Sequence, residues 1–175
     1  MNVDPTGRTG STSASDGHGR MERLLSSPEV TRILRAPNPA VMATVGRDGS
    51  PVTVATWYLW NGGPVLLNLD AGRTRLRHLR GDPRVSLTVL DGVDWHRHVS
   101  LRGAVTLEDD PELEWIDRIA RHYTGRAYPN RERARVNAWL AVDRVHVWGF
   151  PQPQPRLRHR APGAGGVAGD SSAGA

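Results

Sequence analysis

A mainly β protein with short outer helices, six antiparallel strands curled toward a small barrel, is predicted by three observations. β-prone runs follow one another early in the chain, separated by the tight-turn residues Arg47-Asp48-Gly49-Ser50 and Asn61-Gly62-Gly63-Pro64. Helical patterns are short and scattered, so the strand–helix alternation of a doubly wound sheet is missing. The 175 residues, 38% hydrophobic, suit a single core once the polar ends are set aside.

Residues 1–20 hold Gly, Ser, Thr, Asp and Arg with little to bury, so a disordered N-terminal tail is expected. Ser27 can cap and Pro28 open a short helix in which Val30, Ile33 and Leu34 share a face; Pro37 and Pro39 stop it. The runs Ala40–Val45, Pro51–Trp60 and Val65–Leu69 read as a three-stranded meander. Thr74–Arg80 is a short helix that turns Leu76 and Leu79 inward, closed by Gly81-Asp82-Pro83. The strand Arg84–Leu90 pairs with the long strand His98–Glu108, where Gly103 marks a bend or bulge. Asp110 caps and Pro111 opens a helix carrying Leu113, Ile116, Ile119 and Ala120. A further helix over about Arg131–Leu140 precedes the last strand, Val145–Trp148. From Pro151 the chain is Pro-rich and then Gly/Ala-rich, which gives a second disordered tail over 151–175 and an ordered domain over 21–150.

Composition removes whole classes of chemistry. With no Cys there are no disulfides, no thiolate nucleophile and no Cys-bound zinc. All 23 basic side chains are Arg, so Schiff-base and P-loop Lys mechanisms are excluded as well. The formal charge of +5 is partly carried by the two ends, and the interspersed remainder suits an anionic small ligand at least as well as nucleic acid. No apolar run reaches membrane-spanning length, and Met1–Arg20 lacks the apolar stretch of a signal peptide, so a cytoplasmic protein away from membranes is expected.

The most informative segment is Asp70-Ala71-Gly72-Arg73-Thr74-Arg75-Leu76-Arg77-His78-Leu79-Arg80. Free amides at a helix start, the Thr74 hydroxyl and the forks of Arg73 and Arg75 together suit a phosphate, and Gly72 lets the backbone approach closely. Arg73, Arg77 and Arg80 fall on one helical face; the same run also reads as a solvated surface in an Arg-rich protein. His96 and His98 share a strand face but lack a third ligand, so no metal site is expected. His98 and His146 can line a pocket by hydrogen bonding. Of the six Trp, Trp57, Trp95 and Trp148 lie at strand ends, where a planar ligand can stack. Ser86 and Ser100 sit in no nucleophile motif, and Asp109-Asp110 reads as a loop and cap, so no hydrolase constellation is present. The loops Asp91–Asp94 and Tyr123–Asn130 are the expected pocket rims.

Four segments carry a family resemblance: MATVGRDGSPVTVATWYLWNGGPVLLNL, GRTRLRHLRGDPRVSLTVL, HVSLRGAV and DRVHVWG, together about 40–149. They resemble the pyridoxamine 5′-phosphate oxidase-like flavoproteins, and within them the deazaflavin (coenzyme F420)-dependent oxidoreductases. The resemblance implies a split β-barrel of Greek-key type and a homodimer with cofactor sites at the subunit interface. It places Val52, Thr53, Val54, Ala55, Thr56 and Trp57 beside the ring. It puts the phosphate-binding pair on Arg73 and Arg75 with Thr74 between, Arg75 standing where relatives carry Lys. It puts Trp95, His98, His146 and Trp148 near the ring, His146 and Trp148 from the partner. The activity implied is hydride transfer between F420 and an unsaturated organic substrate. A tail bearing a phosphodiester and glutamates calls for several Arg, which favours F420 over flavin mononucleotide (FMN), the alternative cofactor. An all-Arg composition is also typical of high-GC actinobacteria. Two other classes stand beside this one. A non-catalytic carrier of flavin, deazaflavin or haem would share the fold. Nucleic-acid binding is disfavoured, because aromatics do not interleave with Arg along a strand face.

Overall fold

The computed structural model describes residues 12–150, with side chains from 17; residues 1–11 of the tail expected over 1–20, and the whole tail expected over 151–175, lie outside these. The elements are α1 (Thr12–Leu25), α2 (Pro28–Arg35), β1 (Ala40–Val45), β2 (Pro51–Thr56), β3 (Val65–Asp70), α3 (Thr74–Gly81), β4 (Arg84–Leu90), β5 (His98–Asp109), α4 (Glu114–Thr124) and β6 (Arg135–Trp148). All six strands form one antiparallel sheet in the order β2-β1-β4-β5-β6-β3. The non-sequential pairings of β1 with β4 and β3 with β6 give the Greek-key connection. The sheet curls into a half-barrel around Met42, Leu67, Leu87, Leu101, Ala138 and Leu140, with α2 supplying Val30, Ile33 and Leu34. No helix among the described residues is long and apolar enough to cross a membrane.

Several expectations need correction. The β1–β2 hairpin forms, but β3 lies at the opposite edge of the sheet, so there is no meander. β2 ends at Thr56 because the chain then dives: Tyr58 is fully buried and its hydroxyl donates to Ile33 O (3.2 Å) and Ala36 O (3.0 Å). Only the Leu59–Leu66 bridge, with both N–H···O bonds at 2.9 Å, still links this path to β3 across the gap between the sheet's edges. The helix expected at Arg131–Leu140 does not form: 131–134 is loop, and Arg135–Leu140 opens β6, paired with β3 on one side and β5 on the other. Five of its first six residues are buried, so the apolar pattern has no alternation to read, and pairing overrides the helix-tolerant Ala, Asn and Leu. Residues 12–20, expected to be disordered, belong to α1, whose far end docks Leu25 against the core. Asp110 does cap a helix, but that helix starts at Glu114: a turn through Leu113 (φ 60°) intervenes, and the Asp110 carboxylate accepts from Trp115 N–H (3.3 Å) and Ile116 N–H (3.0 Å). The irregularity expected at Gly103 is present as a register shift between Arg102 and Gly103 against β6.

Candidate functional site

The end of β2, the end of β3, the start of α3 and one face of α4 enclose a cleft of about 590 Å³, within the usual size of small-ligand sites. Of the residues singled out in the sequence, Ala55, Thr56, Trp57, Arg73 and Arg75 line it. Strand alternation divides the rest of the β2 run. Val54 turns toward the core, Thr53 is exposed, and Val52 lies with Thr74, Arg77 and Arg80 on the far side of α3. The Arg face of α3 is therefore split: Arg73 and Arg75 face the cleft, while Arg77 turns back to donate to Thr74 Oγ1 at 3.0 Å. Leu76 and Leu79 are buried as their spacing predicts, and this anchors the helix start.

Trp57 forms one wall. Its ring stacks on Tyr123, whose hydroxyl donates to Asn38 O (2.9 Å) and accepts from Tyr58 N–H (3.4 Å). Burial pushes the Tyr123 phenol up to about 12, so it stays a neutral donor. The lining also includes Asn68, Asp70, Tyr128 and Arg135. Asp70 accepts from Gly72 N–H (2.9 Å) and from Arg133 Nη1 (2.9 Å), which hold its carboxyl below the usual range. Burial first, then the neighbouring charges of Arg73 and Arg135, lowers the pKa of Arg75.

Trp95, His98, His146 and Trp148 are not in this cleft. Cross-strand pairing sets His98 opposite Trp148, and sets Ala55, Val41, Thr88, Ser100 and His146 in one row across five strands. Four strand spacings separate Ala55 from His146 in that row, roughly 19 Å. Trp95 and Trp148 are 68% and 58% exposed, and His98 Nδ1 is buried without a hydrogen-bond partner.

Sequence reading missed Asn68, Asp70 and Arg135 as cleft residues. Arg135 had been placed in a helix, and its partner Asn68 sits in a strand that is not a neighbour by chain order. Tyr123 and Tyr128 fall within the loop expected as a rim, and both line the cleft.

Comparison with known proteins agrees with this architecture. No curated protein matches the sequence. Among solved structures, an F420 reductase superposes with a TM-score of 0.62 at 24% identity, covering 66% of this chain and 94% of its own. A conserved hypothetical protein from Mycobacterium tuberculosis gives 0.57 at 27% identity, covering 73% and 89%. General Stress Protein 26 from Bacillus anthracis gives 0.54 at 16% identity, covering 69% and 91%. The six-stranded antiparallel sheet is thus a split β-barrel, and the sequence model for pyridoxamine 5′-phosphate oxidase matches residues 26–149. The chain belongs to the pyridoxamine 5′-phosphate oxidase family.

Proposed function

We propose that the protein is an oxidoreductase that binds the deazaflavin coenzyme F420 and passes a hydride between it and an unsaturated small organic substrate, as a homodimer. One observation carries this reading: the aromatic wall at Trp57 and the paired guanidinium groups of Arg73 and Arg75 line the same cleft. A planar anionic cofactor needs a flat apolar wall at one end and phosphate donors at the other, so the residues present fit such a group. Structural similarity to an F420 reductase adds support.

When bound, the deazaflavin supplies a two-electron hydride carrier. The chain's own residues bind, orient and exclude water. Arg73 and Arg75 hold the phosphodiester, and the short side chain of Ala55 allows a ring to approach the β2 backbone. Trp57, buttressed by Tyr123, keeps water from one side. In a homodimer, Trp95, His98, His146 and Trp148 of a second copy reach the cleft, from which His146 of the same chain is four strand spacings away along the sheet, roughly 19 Å. The exposed Trp95 and Trp148 support an interface on that face.

FMN is the second cofactor reading, since its single phosphate also suits Arg73 and Arg75. A carrier without catalysis is the second functional reading. Titration with F420 and FMN side by side, read by fluorescence, separates the cofactors, and substrate-dependent reoxidation of reduced F420 across a panel of enones and quinones separates enzyme from carrier. Replacing Arg73 and Arg75 together with Ala is expected to weaken F420 binding about a hundredfold or more, at about 1.5–3 kcal/mol per charged hydrogen bond, with the circular dichroism unchanged. Unchanged affinity would remove the assigned site.

A further inference from the structure

The pair at the start of α3 leaves one cleft cation unexplained. Arg135, the first residue of β6, is only 8% exposed and yet lines the cleft. Its Nε donates to Asn68 Oδ1 (2.7 Å), its Nη2 to Asn68 O (3.4 Å), and its Cζ lies 4.8 Å from the centre of the Tyr128 ring. Asn68 is itself fixed, its Nδ2 donating to Asn137 Oδ1 (2.8 Å) and Asp110 Oδ2 (3.1 Å). One edge of the guanidinium is thus spent on orientation by Asn68, Tyr128 steadies it further, and Nη1 takes no part in the bonds to Asn68.

Charge accounting around it does not close. Among the described residues, no carboxylate lies within ion-pair distance of Arg73, Arg75 or Arg135. Asp70 faces Arg135 in the β3–β6 register but is bound to Arg133, and Asp110 is committed to the first turn of α4. Asp70 and Asp110 attract Arg135 only from beyond ion-pair distance, while burial opposes its charge and Arg75 repels it, so the cation is incompletely neutralised. A multiply charged anion relieves both at once.

We propose that Arg135, oriented by Asn68 and Tyr128, is a second anion subsite, so that the cleft selects ligands carrying at least two separate anionic groups, one at Arg73 and Arg75 and one at Arg135. The inference rests on reading the cleft as the cofactor's anionic end, but it assigns a residue and a selectivity which that reading leaves open. The shared chemistry is phosphate or carboxylate. An F420-like tail offers both, whereas FMN, with one phosphate, fills only the first subsite.

The test is calorimetric titration of the full chain with inorganic orthophosphate and tripolyphosphate at constant ionic strength, for the native protein, Arg135→Gln and Arg135→Lys, with Arg118→Gln on the outer face of α4 as control. The native protein and the control are expected to prefer tripolyphosphate at least tenfold. Arg135→Gln should bring that ratio to within about twofold of unity and leave orthophosphate affinity unchanged; Arg135→Lys, which keeps the charge but not the planar fork, should retain part of the preference. An unchanged ratio in a folded Arg135→Gln protein overturns the proposal. If that variant does not fold, an unchanged ratio in Arg135→Lys, or no tripolyphosphate preference in the native protein, overturns it equally. Titration with F420 and with F420 stripped of its glutamates tests the source: a tail effect present in the native protein and lost in Arg135→Gln assigns the subsite to the tail's carboxylates, and equal sensitivity of both coenzyme forms to Arg135→Gln puts Arg135 on the phosphodiester that Arg73 and Arg75 already hold and overturns a separate subsite. A preserved tripolyphosphate preference without F420 binding overturns the F420 reading alone.

Discussion

The rings of Trp57 and Tyr123 lie parallel, with centroids 5.1 Å apart and planes 14° from coincidence, joining the last residue before the β2 dive to the far end of α4. Tyr123 cannot swing away, because its hydroxyl is tied to Asn38 O at 2.9 Å. One face of Trp57 is thus packed while the residue stays 39% exposed, leaving the rest of its surface for a ligand. Trp57→Ala is expected to weaken cofactor binding about 2- to 12-fold, the range for an aromatic contact of about 0.5–1.5 kcal/mol. Trp57→Phe should recover most of it. Fluorescence titration of both variants checks this, and equal affinity for native and Ala proteins would show that no ring lies against Trp57.

Gly103 packs directly against the β6 backbone at Ala141 and Val142. A Cβ placed there would sit 1.9 Å from Ala141 O, with backbone on the other side of the clash that cannot rotate away. Arg102 pairs with Arg144 while Gly103 pairs with Val142, so β6 carries one extra residue at this point. Gly103→Ala should cost about 2–3 kcal/mol in urea unfolding. A native-like midpoint would mean that the two strands can part at the bulge without loss.

That bulge was legible because a Gly inside a β-prone run has few other uses, and the faces of α2 and α3 were legible from their spacing. Arg135–Leu140 was not, since a segment paired on both sides and buried on both faces shows no period. The swap of β3 to the far edge was also hidden, because it follows the burial of Tyr58, whose hydroxyl bonds under α2 are made only in three dimensions. The consequence for the cleft follows directly. Residues read from the chain's local signals, Arg73, Arg75 and Trp57, came together, while Asn68 and Arg135, which meet only through β3–β6 pairing, went unseen.

Asp91 ties the turn that carries Trp95 to α2. Its carboxylate accepts from Arg32 Nη2 at 2.7 Å and from Val93 N–H at 3.1 Å, and these bonds, that from Arg32 first, hold it below the usual carboxylate range. A carboxyl with a depressed folded pKa adds stability that is complete above its unfolded value of about 3.9 and is lost as the pH falls through the folded value. Asp91→Asn is therefore expected to lower the urea midpoint clearly at pH 7 and progressively less below about pH 4, where the native carboxyl is itself becoming neutral. A difference that stays constant from pH 7 to pH 3 would separate Asp91 from the acid response.

The homodimer can be tested on the sheet face away from the core. Ala55, Val41, Thr88, Ser100 and His146 form one row there, and the Thr88 and Ser100 hydroxyls bond to each other at 3.0 Å instead of to charged neighbours. Val41 is 37% exposed in the single chain, and the short side chains of Ala55, Val41, Thr88 and Ser100 cost little to desolvate against a second copy. Val41→Arg puts a cation between Ala55 and Thr88 in that row without touching the barrel core, so the monomer should keep its circular dichroism while sedimentation shifts from dimer to monomer. If the partner supplies Trp95, His98, His146 and Trp148 to the site, F420 affinity should fall in parallel with the dimer fraction. A dimer that survives Val41→Arg would place the interface on another face. A monomer that binds F420 as tightly as the native protein would leave the cofactor site complete within one chain.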